Sequence, residues 1–93
     1  MQFEWDKEKA ASNLKKHDVS FEEAETVFGD SLARIFQDEE HSLKERRDGI
    51  VRRSRQNRLL IISFTEREND TIRIISARET TPKERRKYEN ADG

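Results

Sequence analysis

The chain has 93 residues, enough for one domain spanning 1–93, and a domain this short buries only about 60–65% of the surface that its unfolded form exposes. Val, Leu, Ile and Phe supply 20 of the 93 residues, just above the level of about 20% below which disorder is expected, so the chain should fold around a thin core that a covering partner protein would stabilise. The formal net charge of −1 excludes a self-repelling disordered chain but hides a strong dipole: residues 1–43 carry 5 Lys/Arg and 11 Asp/Glu, whereas residues 44–88 carry 14 and 7.

Phe3-Glu4-Trp5 alternates as a short strand does. Asp6 then caps a helix over Lys7–Lys16, with Ala10, Leu14 and His17 along its apolar face and Asp18 as a left-handed stop. Ser20 and Glu23 form a capping box for a helix over Phe21–Phe28, which buries Phe21, Ala24, Val27 and Phe28 and ends at Gly29. The period then changes to two. Strands are predicted over Ser31–Gln37, Arg46–Arg53, Arg58–Thr65 and Thr71–Arg78. Leu59–Ile62 is apolar on both faces and marks a central strand. In the last strand Ile72, Ile74 and Ser76 alternate with Arg73, Ile75 and Ala77, and the parity of Arg78 places it with Ile72 and Ile74. Turns fall at Asp38–His41, Ser54–Asn57 and Asn69-Asp70. Thr81-Pro82-Lys83-Glu84 is a second capping box, opening a helix over Pro82–Asn90. The expected fold is α+β, with two N-terminal helices and one C-terminal helix on an antiparallel sheet of about four to five strands.

Several chemistries are excluded. The chain has no cysteine, so disulfides, thiolate metal sites and a Cys nucleophile are absent. Two histidines and the acidic turn at Asp38–His41 match no metal-ligand spacing, and no metal or other cofactor is expected. Three glycines cannot form a phosphate loop, and no serine stands in a glycine-flanked elbow. The longest apolar run, Leu59–Ile62, is far too short to span a membrane, and the charged N-terminus is no signal peptide, so a soluble cytoplasmic protein is expected.

The density of cations in residues 44–88 suits a polyanion such as RNA, although ordinary solvated faces would give the same count. Cleaving RNA without metal needs a proton acceptor for the 2′-OH, cations on the phosphate and a proton donor for the leaving oxygen. Arg and Lys supply the second; His, Glu or Tyr supply the others. His17 can carry a proton or simply close its helix. Arg78 needs a partner, for which Glu79, Glu84 or a phosphate would serve. Tyr88 can act at a site or pack its helix on the sheet, and Trp5 reads as core.

The residues also resemble a known family. Phe3-Glu4-Trp5-Asp6, Lys9, Asn13-Leu14, Lys16-His17, Val19, Phe21, Glu23-Ala24, Val27-Phe28 and Asp30 look like the N-terminal signature of BrnT toxins. Glu45, Arg47, Arg58-Leu59-Leu60, Arg73 to Arg78 and the Glu84–Tyr88 helix resemble the remainder. The resemblance covers nearly the whole chain and implies a fold related to RelE ribonucleases and an endoribonuclease that arrests translation. It also implies a BrnA-type ribbon-helix-helix antitoxin, a 2:2 heterotetramer with it, and operator DNA bound only through the antitoxin. On this basis His17, Arg47, Arg78 and Tyr88 are the candidate catalytic residues, and Lys9, Arg53 and Arg67 the candidate RNA contacts. Two positions depart from the family, which usually has Gly where Asp18 and Arg52 stand here. Those departures keep an alternative open, a degenerate toxin that only binds its antitoxin and tunes repression.

Overall fold

A computed structural model describes residues 1–29, 34–37 and 47–91. Asp30, Ser31–Ala33 of the predicted strand, the acidic turn Asp38–His41, Glu45 and Arg46 lie outside the described residues. The elements are β1 (Gln2–Glu4), α1 (Lys7–His17), α2 (Phe21–Glu25) continued by a 3₁₀ turn (Thr26–Gly29), β2 (Arg34–Gln37), β3 (Asp48–Arg53), β4 (Leu59–Arg67), β5 (Thr71–Glu79) and α3 (Pro82–Ala91). The strands form one sheet in the order β1-β5-β4-β3-β2, with β4 central as its two-faced apolar run requires.

Strands β2 to β5 make the expected antiparallel meander, but β1 pairs with β5 in parallel. This edge corrects the all-antiparallel expectation. Only Trp5 and Asp6 separate β1 from α1, so β1 has no hairpin partner in the chain and takes the open outer edge of β5 instead.

The helix starts follow their caps. The Asp6 carboxylate accepts from Glu8 N at 2.8 Å and Lys9 N at 3.1 Å, which holds its pKa below the usual carboxylate range. Asp18 closes α1 in the left-handed region, at φ 56° and ψ 35°, where Asp is one of the few tolerated residues other than Gly. Gly29 ends the second helical segment through a 3₁₀ turn and without a positive φ. Predicted α2 therefore tightens after Glu25, where the Thr26 hydroxyl donates back to Glu23 O at 2.7 Å.

The inner line of α1 is not the predicted one. Leu14 is 49% exposed and His17 is exposed, whereas Asn13 is 6% exposed. The Asn13 amide donates to Val19 O (2.9 Å) and Ala77 O (2.7 Å) and accepts from Ala77 N (3.0 Å). Its side chain thus satisfies both backbone groups of a β5 residue beyond the reach of β1, as a neighbouring strand would. Hydrogen bonding, not apolarity, decides which face of α1 turns inward.

The core lies between α1, α2 with its 3₁₀ turn and one face of the sheet. It contains Val19, Phe21, Ala24, Val27, Ile50, Leu60, Ile62, Phe64, Ile72, Ile74 and Ala77, with Phe3, Trp5, Ala10 and Phe28 packed against it. Trp5 meets Phe21 edge-on at 5.8 Å, and Phe28 meets Phe64 edge-on at 5.0 Å, both favoured aromatic arrangements.

Glu23 corrects the first capping box. Ser20 Oγ accepts from Glu23 N at 3.0 Å as expected. The Glu23 carboxylate, however, turns to Arg58, whose Nε and Nη2 both donate to it, and to Ser54 Oγ at 2.6 Å. Arg58 also donates to Asp18 O (2.8 Å) and Glu79 Oε1 (3.1 Å). A charge-assisted pair outcompetes the weaker backbone bond of the box. One guanidinium thereby joins the α1–α2 link, the β3–β4 turn and the end of β5. Arg58 lowers the pKa of Glu23 and has its own raised in return.

Replacing Glu23 by Gln removes the buried counter-ion of Arg58 and leaves it only the exposed Glu79, which should cost about 3 kcal/mol of folding stability in urea titrations. A loss under about 0.5 kcal/mol, the range of ordinary surface substitutions, would contradict the network's role.

Candidate functional site

A bulge in β5 sets the geometry around Arg78. Ser63 pairs with Ser76 but Phe64 pairs with Ile74, so Ile75 is an extra residue on its strand. Beyond it the alternation of faces is reversed. Ala77 is fully buried, Ser76 is exposed, and Arg78 leaves the parity of Ile72 and Ile74 that the sequence pattern had assigned to it. The register makes the geometry explicit. Ile50, Ile62 and Ala77 form a core row across β3, β4 and β5, and Val51, Ile61 and Arg78 form the next row. Adjacent rows project to opposite faces, so Arg78 stands on the face away from the core, beside a row of Gly49, Ser63 and Ser76.

The first turn of α3 reaches this face. Its capping box is complete: Thr81 N donates to Glu84 Oε1 at 2.8 Å and Glu84 N donates to Thr81 Oγ1 at 3.2 Å. The same carboxylate receives Arg78 end-on, Nη1 to Oε1 at 2.8 Å and Nη2 to Oε2 at 3.0 Å. Arg78 Nη1 also donates to Glu79 O at 3.2 Å. The Arg78 hydrogen bonds hold the Glu84 pKa down at about 2, and Glu84 raises that of Arg78. One helical turn on, and so on the same side of α3, Tyr88 is buried, and its hydroxyl accepts from Arg52 Nη1 at 2.7 Å.

α3 therefore carries Tyr88 one turn beyond Glu84, the residue that pairs with Arg78 of β5. Arg53 is close by: it pairs with Leu59 and shares the face and the sheet end of the Arg78 row. Arg67, paired with Thr71, is six β4 residues from that row, about 20 Å at the usual strand rise. Arg47 precedes β3, four residues before Val51 and about 13 Å along the strand by the same rise; its Nε is buried with no hydrogen-bond partner among the described residues. Lys9 and His17 are exposed on α1, which packs on the core face through Ala10, and so are not on the face that carries Arg78.

The roles of two further residues were left open by the sequence. Arg52 looked like a cation added beside the site and is instead the donor to Tyr88. Glu84 was one of several possible partners for Arg78, and its place at the fourth position of a capping box was the signal that it would be fixed at the foot of α3. Among the described residues no group of three or more His, Cys, Asp or Glu side chains is placed to hold a metal ion, and no helix is long and apolar enough to cross a membrane.

This α+β arrangement is shared with a ribonuclease toxin. The crystal structure of BrnT from Brucella abortus superposes with a TM-score of 0.67 at 20% sequence identity, over 87% of this chain and 97% of that one. At the level of sequence, residues 5–84 match the family model of BrnT, the ribonuclease toxin of type II toxin–antitoxin systems, and the chain belongs to that family. No curated protein matches it.

The shifted carboxyl gives a pH test. A carboxylate whose folded pKa is depressed contributes stability that is fully present above its ordinary value of 4.5 and is lost as pH falls toward about 2. Stability should therefore decline between these limits, and Glu84→Gln should flatten the decline while leaving the Glu23 contribution in place. Parallel acid profiles for the two proteins, from urea melts at several pH values, would contradict the pairing.

Proposed function

We propose that the chain is an endoribonuclease that cleaves RNA without metal and so arrests translation. The observation that carries this reading is Arg78, an arginine turned outward by a bulge and held at the open face of the sheet, in a member of a ribonuclease-toxin family. In the proposed reaction the RNA 2′-oxygen attacks the adjacent phosphorus. The new O–P bond forms as the P–O5′ bond breaks, leaving a 2′,3′-cyclic phosphate and a 5′-hydroxyl. A base on the enzyme takes the 2′-OH proton, and an acid returns one to the 5′-oxygen.

Arg78 neutralises the charge that builds on the phosphate, where preorganised donors contribute most. Tyr88, one helical turn beyond Glu84 and with Arg52 donating to its oxygen, is the proton-transfer candidate. Arg53 and the exposed α3 cations Lys83, Arg86 and Lys87 suit the flanking phosphates, and Arg47 and Arg67 suit RNA running further along the sheet. Lys9 and His17 enter this proposal only as contacts for RNA that wraps the edge of β5. Control by a BrnA-type ribbon-helix-helix antitoxin in a 2:2 complex, with operator binding through the antitoxin, and a cytoplasmic location complete the proposal. The thin core supports it, since a bound partner stabilises the folded state by mass action.

Expression of the chain alone should arrest growth, and the purified protein should cut RNA in the presence of EDTA. Arg78→Ala should reduce the cleavage rate by about 10²–10³-fold, the usual loss for one preorganised donor. RNA affinity should fall steeply with salt, as phosphate contacts release counterions. Unimpaired growth and intact RNA from a folded protein would favour the antitoxin-binding reading instead.

A further inference from the structure

The two arginines that end the sheet use different edges. Arg58 presents Nε and Nη2 to Glu23, the side-on fork of the guanidinium. Arg78 presents Nη1 and Nη2 to Glu84, the end-on fork, and spends the second proton of Nη1 on Glu79 O. A guanidinium has five donors in fixed geometry. After these three bonds, Arg78 keeps the Nε–H and one Nη2–H, which are adjacent and parallel. Among the described residues nothing accepts from them, and the side chain is 39% exposed. The edge that Glu23 fills on Arg58 is open on Arg78.

We infer that Glu84 is a positioning residue: it clamps Arg78 by one edge so that the other, Nε with Nη2, is preset to receive two oxygens of a single phosphodiester. The inference rests on the proposed ribonuclease reading and names what its central cation binds. The clamp is itself fixed. Glu84 Oε1 is held by Thr81 N through the capping box, and Thr81 Oγ1 accepts from Glu84 N, so the carboxylate cannot follow Arg78 if the guanidinium rotates. A bidentate phosphate on the open edge adds a second anion to one cation without displacing the first, because the two edges are separate. Lysine, with a single ammonium on a flexible stem, cannot be held and bind in this way.

The experiment uses the whole chain and two RNAs of one sequence, one unmodified and one 2′-O-methylated throughout, which lacks the attacking hydroxyl. Cleavage kinetics are measured on the first. Affinity and the side-chain Nε–H resonance of Arg78 are measured on the second. Glu84→Gln keeps a residue that completes a capping box but loses the charged clamp, and circular dichroism checks that α3 persists. The expected result is a kcat lowered about tenfold or more in Glu84→Gln, in line with the cost of a misplaced catalytic group. Affinity for the methylated RNA should stay within about threefold, since one clamp among many phosphate contacts contributes little to binding. Arg78→Lys should lose at least as much kcat. In the wild-type protein the Nε–H resonance should move when methylated RNA is added.

A Glu84→Gln protein that cleaves as fast as wild type, or faster, overturns the inference; faster cleavage would make Glu84 a competitor of the phosphate. A silent Nε–H in a wild-type protein that does cleave overturns it too and leaves the ribonuclease reading standing. A resonance that moves in a wild-type protein that does not cleave sustains the phosphate fork and removes the ribonuclease reading.

Discussion

The side-chain amide of Asn13 holds the place where the rest of the molecule is decided. β1 covers only the first residues of β5, and the strand then runs on with an open outer edge. Asn13 closes that edge at Ala77 by bonding both its N–H and its C=O, and it ties in Val19 at the start of the next segment. Ala77 lies two residues after the bulge and one before Arg78. Pinning Ala77 to the helix keeps it in the core row and commits Arg78 to the other face. The latch is polar, buried and fully satisfied, the condition under which a buried polar group specifies a structure instead of weakening it.

A second tie works from the opposite end of the helical layer. Glu23 and Arg58 bind the α2 helix to the β3–β4 turn, and Arg58 reaches Asp18 and Glu79 as well. Glu4 pairs with Arg73 across β1 and β5 in the same sense, at 2.6 Å. The acidic first half and the basic second half of the chain are therefore partly each other's counter-ions. Lys83, Arg86 and Lys87 stand exposed on α3, and positive charge there suits a polyanion.

Much of this was legible in the sequence. Caps at Asp6, Ser20 and Thr81, the stop at Asp18 and the central run Leu59–Ile62 all carry their own local physics and lie where that physics puts them. What escaped were non-local choices. Nothing in the spacing of Ala10, Leu14 and His17 says that a buried amide at Asn13 will outweigh Leu14 for the inward face. A bulge is invisible to a period of two, so the alternation from Thr71 to Arg78 gave the wrong side for Ser76, Ala77 and Arg78. The parallel pairing of β1 has no local signature either. For the candidate site, the residue types and the family resemblance named His17, Arg47, Arg78 and Tyr88, but only the fold shows that Glu84 pairs with Arg78, that Arg52 donates to Tyr88 and that His17 lies on another face.

The most direct test of the Asn13 latch is amide hydrogen exchange at Ala77 in the wild-type protein and in Asn13→Ala. The Ala77 N–H points to an edge with no strand beside it, so only the Asn13 carbonyl oxygen can protect it. Strong protection is expected in the wild type, with its loss in Asn13→Ala and little change at Ile62, the Ala77 partner in β4. Rapid exchange at Ala77 in the wild type, or protection that survives the substitution, would contradict it.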